Sequence, residues 1–369
     1  MSETQVEERV AGDQLAVDRR VDVLRMPVGA PVAWSGADLE GSEAWVHELG
    51  GDTLQDLGDA LETVRERKLA IPDIGPEDVP LPSFRESATN IADELENGRG
   101  FALLRGIPGL SHTLEDLQVF NWAIGLHFGE PVSQRVNGVL VGDVRNEANQ
   151  SGGKPSNDKA ATSLLFHADN SDITSLLCVR QGLEGGVSSL VSSMEIHNRI
   201  LAERPDLLEI LYEPFYNSWR GQAYPGARPF FTCPVFSFYE GRLSARYAES
   251  MLVAYEDPTL ADYVPPLKSE QREALEFVQQ VATRPGMGVT FRLQPGDYLI
   301  FNNYTVLHSR AEYADGEVDE LRRHLLRLWL AAPKGRPLAK GFIERYGPPM
   351  PGRLRGGYGN VARPGLRAR

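Results

Sequence analysis

Three side chains in this sequence could together hold a transition-metal ion. His167 and Asp169 are separated by one residue, and His308 comes much later, shortly after the apolar run YLIF. Residues i and i+2 of a strand point to the same face, so both members of the His-x-Asp pair could reach one ion. Two histidines and a carboxylate suit ferrous iron with open coordination positions. A hydrogen-bonded His–Asp pair and an ordinary, partly buried His308 are the alternatives.

Two arginines lie on a predicted strand that follows this set. In the segment RHLLRLWL, Arg323, Leu325, Arg327 and Trp329 alternate along the chain and therefore share one face. Guanidinium groups are not deprotonated in proteins, so their burial needs an anionic or strongly polar partner. A carboxylate bound through two parallel hydrogen bonds meets that need. The pattern indicates a site for a small carboxylic acid, with ion pairs to protein carboxylates as the alternative.

Short strands are predicted to position these residues. Between residues 163 and 330 the strand-like pieces are TSLLCVRQ, VSSLVS, PFFTCPVFSFY, GRLSARY, GVTFRLQ, YLIFNN and HLLRLWL. Two helices interrupt them, one over 194–212 that breaks near Pro205 and one that begins after Leu267. Many short strands joined by Gly- and Pro-containing turns are typical of a sandwich, jelly roll or barrel. The predicted fold class is mainly β, a rolled β-core with flanking helices.

The first half of the chain is predicted to be more helical. Residues 41–69 indicate one or two short helices, and 113–129 another. A helix over 83–98 is predicted to begin at a capping box formed by Ser83 and Glu86. The polar segment 141–162 before His167 is predicted to be a long loop, either a lid or a disordered excursion.

These elements suggest three parts. Residues 1–82 are expected to form an N-terminal extension packed on the core, and 83–345 the domain that carries the site. Residues 346–369 are rich in Gly, Pro and Arg and are expected to form a flexible C-terminal tail. Contact with a neighbouring subunit or with an acidic partner is the alternative.

Composition limits the possible partners. The formal net charge of −13 over 369 residues disfavours nucleic acid, whose binding needs a basic surface. No apolar run approaches the length of a membrane span, and the acidic, polar start does not resemble a signal peptide. The two cysteines, Cys178 and Cys233, lie in apolar contexts and are expected to be reduced. We expect a cytoplasmic protein that binds a small molecule.

Several motifs resemble the taurine dioxygenase and clavaminate synthase-like superfamily of Fe(II)/2-oxoglutarate-dependent oxygenases. The resemblance runs from about Phe101 to Leu330 and is strongest in LLFHADNSD, GLEGGVSSLVS, QPGDYLIFNNYTVLHSR and RRHLLRLWL. Each motif is short, but their order and spacing together are fairly specific. The resemblance implies a double-stranded β-helix, or jelly roll, with a flanking helical layer. It does not account for residues 1–82.

The resemblance also implies roles for individual residues. His167, Asp169 and His308 match the iron ligands of the family. Arg323 matches the arginine that binds the distal carboxylate of 2-oxoglutarate, and Ser188 stands where the family has a hydroxyl residue, usually threonine, for the same carboxylate.

Substrate residues are less closely matched. Arg327 matches an arginine that in several members reaches an acidic group of the substrate. Ser163 stands where some sulfonate-acting members have asparagine, which weakens taurine as a candidate. Arg220, with Tyr216 and Trp219, suits a pocket or a subunit contact, and packing at the surface or in an interface is the alternative.

The implied reaction uses Fe(II), 2-oxoglutarate and dioxygen to oxidise an unactivated C–H bond. Hydroxylation of a small anionic substrate, an amino acid or a derivative, is the expected outcome. Desaturation and oxidative ring closure would use the same metal ligands. Asp169 argues against halogenation, because halogenating relatives replace this carboxylate with a small residue. Two alternatives belong to other functional classes. One is a cupin-like hydrolase or isomerase that uses zinc or manganese, and the other is a non-catalytic small-molecule binder. A homo-oligomer is a family-level expectation only.

Overall fold

A computed structural model describes residues 22–147, 160–223, 226–248, 250–347, 350 and 352–358 of the chain. Seventeen strands are assigned in these residues. They are β1 (Val46–Glu48), β2 (Phe101–Arg105), β3 (Glu130–Pro131), β4 (Val141–Arg145), β5 (Leu164–His167), β6 (Ile173–Arg180), β7 (Glu184–Gly185), β8 (Ser188–Ser192), β9 (Phe215–Ser218), β10 (Phe230–Cys233), β11 (Phe236–Tyr239), β12 (Arg242–Ala245), β13 (Gly288–Phe291), β14 (Tyr298–Asn302), β15 (Val306–Arg310), β16 (Tyr313–Ala314) and β17 (His324–Ala331).

Two sheets form the centre of the molecule. The larger has the order β1-β2-β14-β6-β17-β3, with β4 also paired to β17, and the smaller has the order β13-β8-β15-β5. Every residue of β14 is buried, which explains why its sequence is a continuous apolar run without alternation. Leu299 and Leu325 of the larger sheet share one apolar cluster with Leu190 and Val306 of the smaller. The two sheets therefore pack against each other.

Eight helices are described, and all but the last contribute to the core clusters of the two sheets. They are α1 (Gly51–Arg67), α2 (Arg85–Asn97), α3 (Leu114–Gly125), α4 (Ser193–Glu203), α5 (Pro205–Leu211), α6 (Ser250–Glu256), α7 (Ser269–Ala282) and α8 (Lys340–Tyr346). Apolar residues of α1, α2 and α3 join the larger sheet in one core cluster. Those of α4, α5 and α7 form a second cluster with the smaller sheet and with β11 and β12. The sheet-rich fold with flanking helices agrees with the predicted class at this level.

Most predicted elements occur where the sequence placed them. The helical break at Pro205 is confirmed, since α4 ends at Glu203 and α5 starts with Pro205 at its first position. The capping box at Ser83 is wrong, because 82–84 form a 3-10 turn and the Ser83 N–H donates to Asp56 instead. Residues 46–48 are a strand beside β2, not the start of a helix.

The predicted long loop over 141–162 is wrong at its beginning. Residues 141–145 form β4, an edge strand that pairs antiparallel with β17. Buried Gly142 and Val144 alternate with more exposed neighbours, the pattern of a strand with one covered face. The part of this prediction over 148–159 lies outside the described residues.

The expected flexible tail is also wrong where the chain is described again, at 352–358. Arg355 is fully buried and forms an ion pair with Asp172 in which Nε lies 2.8 and 2.9 Å from the two carboxylate oxygens. The next two residues, Gly356 and Gly357, have positive φ angles and lie against the backbone of Asn170 and Ser133. We call residues 352–358 the C-terminal segment; it packs into the core.

The remaining expectations concern thiols and membranes. Cys178 and Cys233 are buried and free, and burial raises the pKa of each to about 12. Among the described residues, no helix combines the length and apolar character that a membrane crossing requires.

Candidate active site

The three predicted metal ligands lie together at one edge of the smaller sheet. His167 ends β5, Asp169 follows two residues later, and His308 lies in the middle of β15. The antiparallel register places His308 opposite His167, because the two strands are neighbours in the sheet. One ligand atom from each residue lies within 4.8 Å of the other two. Such spacing allows all three to contact one ion.

Asp169 is held in place by several donors. Its Oδ2 accepts hydrogen bonds from Trp329 Nε1 at 2.9 Å and from Thr174 Oγ1 at 3.1 Å. Arg327 Nη1 lies 3.6 Å from Oδ1. Burial alone would raise the pKa of this carboxyl, but Arg327, His308 and His167 lower it to about 2. The carboxylate is therefore ionised at neutral pH, the state that a metal ion requires.

The surroundings of the two histidines also favour the binding of a metal cation. His167 Nδ1 donates to the Leu165 carbonyl at 2.8 Å, which leaves Nε2 as the free lone pair. Burial, followed by the neighbouring His167, lowers the pKa of His308 to about 3, so this ring is neutral. Its buried Nδ1 has no hydrogen-bond partner among the described residues. Two imidazoles and one carboxylate fit Fe(II).

A cavity of about 300 Å³ opens beside these ligands. Eight of the residues that the sequence singled out for the site line it: Ser163, His167, Asp169, Ser188, Arg220, His308, Arg323 and Arg327. The structure thus brings together side chains from β5, β8, β15, β17 and the turn after β9. Tyr216 and Trp219 are not among the lining residues described; both pack against other aromatic rings.

Arg323 lies at one end of the cavity. It is 2% exposed, and its guanidinium lies 5.2 Å from the ring centre of Tyr313, which Arg310 contacts at 4.6 Å. Its Nε and Nη1 have no hydrogen-bond partner among the described residues, and burial lowers its pKa. Such a buried cation has a strong requirement for an anion. Ser188, which is 6% exposed, pairs in register with Arg310.

A glycine makes room for Arg323. Gly186 has a φ of +67°, and a Cβ placed there would lie 3.2 Å from Arg323 Nε. Any side chain at this position would be strained and would crowd the guanidinium. The Gly-Gly pair that precedes β8 thus lets the backbone approach the arginine.

Arg327 lies farther along the same strand face. Its Nε donates to Gln134 Oε1 at 2.7 Å, and its guanidinium lies 5.0 Å from the centre of the Trp329 ring. Arg220 lies on the exposed turn after β9, with a φ of +52° that is uncommon for a residue other than glycine. Ser163 directly precedes β5.

Sequence reasoning missed several lining residues. The position of Trp329 was available from the alternation of β17, because it shares the face of Arg323 and Arg327, but its contact with Asp169 was not foreseen. Gln134 and Arg135 precede β4 in a segment without a motif. Tyr358 of the C-terminal segment also lines the cavity, where its hydroxyl accepts from Asn170 Nδ2 at 3.3 Å. No feature of the sequence indicated this last contact.

Comparison with known proteins supplies the family. Residues 65–329 match the family described as taurine catabolism dioxygenase TauD, TfdA family. The chain is 31% identical over 324 residues to FR-33289 synthase of Streptomyces rubellomurinus, a match that covers 86% of this chain and 94% of that protein.

Solved structures show the same fold. Asparagine oxygenase, in complex with Fe(II), 2S,3S-3-hydroxyasparagine and succinate, superposes with a TM-score of 0.58 at 18% identity, over 78% of this chain and 93% of that one. The non-haem iron oxygenase OrfP, in complex with Fe and alpha-ketoglutaric acid, superposes with a TM-score of 0.53 at 14% identity, over 77% and 93%. The chain therefore belongs to the TauD/TfdA family and is a non-haem iron dioxygenase that uses 2-oxoglutarate and dioxygen.

Proposed function

We propose that this dioxygenase hydroxylates an unactivated C–H bond of a small anionic substrate, an amino acid or a derivative of one. The observation that carries the proposal is a pair of arginines, Arg323 directly before β17 and Arg327 within it, that line the cavity of His167, Asp169 and His308. One arginine would serve the cosubstrate and the other the substrate. The names of the two structural relatives, which refer to asparagine and to arginine oxidation products, support an amino-acid skeleton.

His167, Asp169 and His308 would hold the iron. When bound, Fe(II) supplies the redox chemistry that couples the oxidative decarboxylation of 2-oxoglutarate to C–H oxidation. The chain keeps His308 neutral and Asp169 ionised through burial and neighbouring charge. Trp329 and Thr174 donate to Oδ2 of Asp169 and so hold the carboxylate in a fixed orientation beside the two histidines.

Arg323 and Ser188 would bind the distal carboxylate of 2-oxoglutarate. The buried guanidinium directly before β17 and the hydroxyl on β8 both line the cavity and offer charged and neutral donors to the same anion. The cosubstrate would thereby be oriented with its keto-acid end toward the metal ligands, and the Arg323 charge would be compensated.

Arg327, Ser163 and Arg220 would contact the substrate. Arg327 is held in position by Gln134 and by the Trp329 ring, so its guanidinium is oriented before any ligand arrives. Ser163, directly before β5, and Arg220, on the turn after β9, line the same cavity.

We infer that the two packed sheets form a double-stranded β-helix, the jelly roll expected from the family. Strands β5, β8 and β15 of the smaller sheet and β4, β6, β14 and β17 of the larger contribute lining residues to the cavity between them. Residues 1–82 would then be an addition to that domain; α1 is built into its core rather than attached at the surface.

An anaerobic titration tests the proposal. Metal-free protein receives Fe(II) and then 2-oxoglutarate while the visible spectrum is recorded. We expect a weak charge-transfer band that needs both additions and that is lost in Arg323→Met at the same cosubstrate concentration. Tight zinc or manganese binding without such a band would favour the hydrolase or isomerase class.

A screen then identifies the outcome of turnover. Succinate release is measured with amino acids and their derivatives as substrates, and the masses of the products are determined by mass spectrometry. A gain of one oxygen atom is expected for hydroxylation. A product that has lost two hydrogen atoms would instead indicate desaturation or ring closure at the same site.

A further inference from the structure

The short connection that follows the metal ligand Asp169 is held from two sides. Residues 170–172, which we call the post-ligand turn, lead from Asp169 into β6. On one side lies Asn303, between β14 and β15. Its Oδ1 accepts from the Asp169 N–H at 2.9 Å, and its own N–H donates to the Asp172 carbonyl at 3.0 Å. On the other side lie residues from the end of the described chain.

Asn170 makes most of the contacts on that second side. Its Oδ1 accepts from Arg345 Nε at 2.9 Å and from Arg246 Nη2 at 3.3 Å. Its Nδ2 donates to the Tyr358 hydroxyl at 3.3 Å, and its carbonyl accepts from the Gly357 N–H at 2.7 Å. The residue next to the metal ligand is therefore fixed by both its side chain and its backbone.

Arg345, in α8, is enclosed by aromatic rings. It is 4% exposed, and its guanidinium lies 4.7 Å from the ring centre of Tyr358 and 5.4 Å from that of Trp219. Besides Asn170, it contacts the Gly357 carbonyl, to which Nη1 donates at 2.8 Å. Neutral acceptors and aromatic faces stabilise a cation only at short range. Arg345 therefore fixes Asn170 and the C-terminal segment relative to each other.

The C-terminal segment also supports a side-chain partner of Asp169. Leu354 and Tyr358 pack against the apolar cluster that contains Trp329. The ring centres of Tyr358 and Trp329 are 5.9 Å apart, and Trp329 Nε1 donates to Asp169 Oδ2. A shift of the Tyr358 ring would therefore move the indole that orients the carboxylate.

A buried ion pair attaches the segment to the same turn. Arg355 pairs with Asp172, whose Oδ1 also accepts from the Tyr304 hydroxyl at 2.7 Å. Arg345 and residues 352–358 all follow residue 329, at which the family match ends. The support for the post-ligand turn thus comes from outside the matched part of the chain.

We propose that Arg345 and Tyr358 are positioning residues of the metal centre. Arg345 holds the backbone at Asp169 in place through Asn170, and Tyr358 holds the carboxylate in place through Trp329. This inference rests on the proposed function, because it assumes the three metal ligands assigned there. A ligand that is already in its binding geometry loses less freedom when the metal binds. By linkage, the bound metal should in turn stabilise the attachment of the C-terminal segment.

A cobalt(II) titration of the metal-free protein tests the effect on the metal. Arg345→Met and Tyr358→Ala are each expected to weaken cobalt(II) binding by ~10-fold, the lower range for residues that orient a metal ligand. Tyr358 is only half-buried, so Tyr358→Ala keeps the test valid if Arg345→Met does not fold. Thermal unfolding measures the stability of each variant separately.

Arg336→Met is the matched control. Arg336 is also a buried arginine after β17, but its side chain donates to Glu96 and to the Leu243 carbonyl instead of to the post-ligand turn. This variant should lose stability and keep the cobalt(II) affinity of the unmodified protein.

Limited digestion with trypsin tests the reciprocal effect. Arg353 is exposed in the C-terminal segment, and Arg25 is exposed near the start of the described residues. Cobalt(II) should slow cleavage after Arg353 at least ~5-fold, the lower end of typical coupling between sites, and leave cleavage after Arg25 unchanged. Mass spectrometry identifies each cleavage site. His308→Ala, which lacks a metal ligand, should show no protection.

The outcomes separate this inference from the function on which it rests. Unchanged cobalt(II) affinity in folded Arg345→Met and Tyr358→Ala, or an equal loss in Arg336→Met, would show a purely structural role and overturn the inference. Equal protection at both cleavage sites, or none in the C-terminal segment, would overturn the coupling between segment and metal. Failure of the unmodified protein to bind cobalt(II) would instead contradict the metal ligands of the proposed function, and the inference with them.

Discussion

The two ends of the cavity are built from different kinds of structure. At the end proposed to bind the cosubstrate, Arg323, Arg310 and Ser188 are 2%, 5% and 6% exposed and lie on or beside paired strands. At the end proposed to bind the substrate, Arg220 lies on an exposed turn, and Tyr358 comes from the C-terminal segment.

The difference follows from what each end must recognise. A cosubstrate shared by a whole family can be bound by strand residues whose spacing is set by the sheet. Loops tolerate changes of length and sequence, so a variable substrate is recognised there more readily. Arg327 lies between these two regimes, since it is on a strand but is held by Gln134 of a loop.

Removal of a metal ligand should have the largest effect, because both ends depend on it. His308→Ala is expected to lower 2-oxoglutarate-dependent succinate release at least ~1000-fold, since an ion with one ligand fewer is bound weakly and positioned poorly. Equilibrium dialysis with Fe(II) measures the loss of binding. His112→Ala, outside the cavity, serves as the control; full activity in His308→Ala would remove His308 from the site.

The cosubstrate end should respond next most strongly. Arg323→Met is expected to weaken 2-oxoglutarate by ~100-fold, because a buried charged hydrogen-bond partner is lost. Its neighbour Arg322, which is exposed and paired with Asp319, gives a matched control in Arg322→Met. The charge-transfer titration gives both affinities. Equal affinities of the two variants for 2-oxoglutarate would mean that the cosubstrate binds elsewhere. The proposed difference between the two ends of the cavity would then be wrong.

The C-terminal segment tests how firmly the substrate end is supported. Arg355→Met should destabilise the fold by about 3 kcal/mol, because Asp172 would stay buried without its ion-pair partner. The control is Arg353→Met, two residues earlier and exposed. Denaturant unfolding measures the difference. A segment that is merely attached at the surface would give equal stabilities, and the substrate end would then lack this support.

The smallest effect is expected for Trp329, whose indole N–H donates to the metal ligand Asp169. Trp329→Phe removes the hydrogen bond to Asp169 Oδ2 but keeps an aromatic ring under Arg327. We expect metal affinity to fall by ~10-fold, the lower range for residues that orient a metal ligand. Trp219→Phe, a buried tryptophan outside this contact, is the control in a cobalt(II) titration. No change would mean that Thr174 alone orients the carboxylate.

The sequence predicted that the strand residues of the site lie around one cavity, and the structure places them there. The alternation of β17 placed Arg323, Arg327 and Trp329 on one face, and strand periodicity is a local property that one segment carries by itself. The positions of His308 and Ser188 followed from short motifs attached to strands. These are the residues that the sheet register brings together.

The parts of the site formed by loops and by the C-terminal segment could not be predicted in the same way. Arg355 meets Asp172 across 183 residues of sequence, and neither residue carries a periodic pattern that signals the contact. Glycines that look like a flexible tail are required here because Gly356 and Gly357 adopt positive φ angles against backbone atoms. Strand β4 was missed because its polar residues face outward on an edge strand.

The C-terminal segment also sets an order of events during synthesis. Asp172 leaves the ribosome 183 residues before its partner Arg355. At typical elongation rates of about 5–20 residues per second, that interval is roughly 10 to 40 seconds. During it, the chain next to the metal ligands lacks one of its walls and holds a carboxylate whose counter-ion has not yet been made. The cavity is finished only by some of the last described residues to emerge.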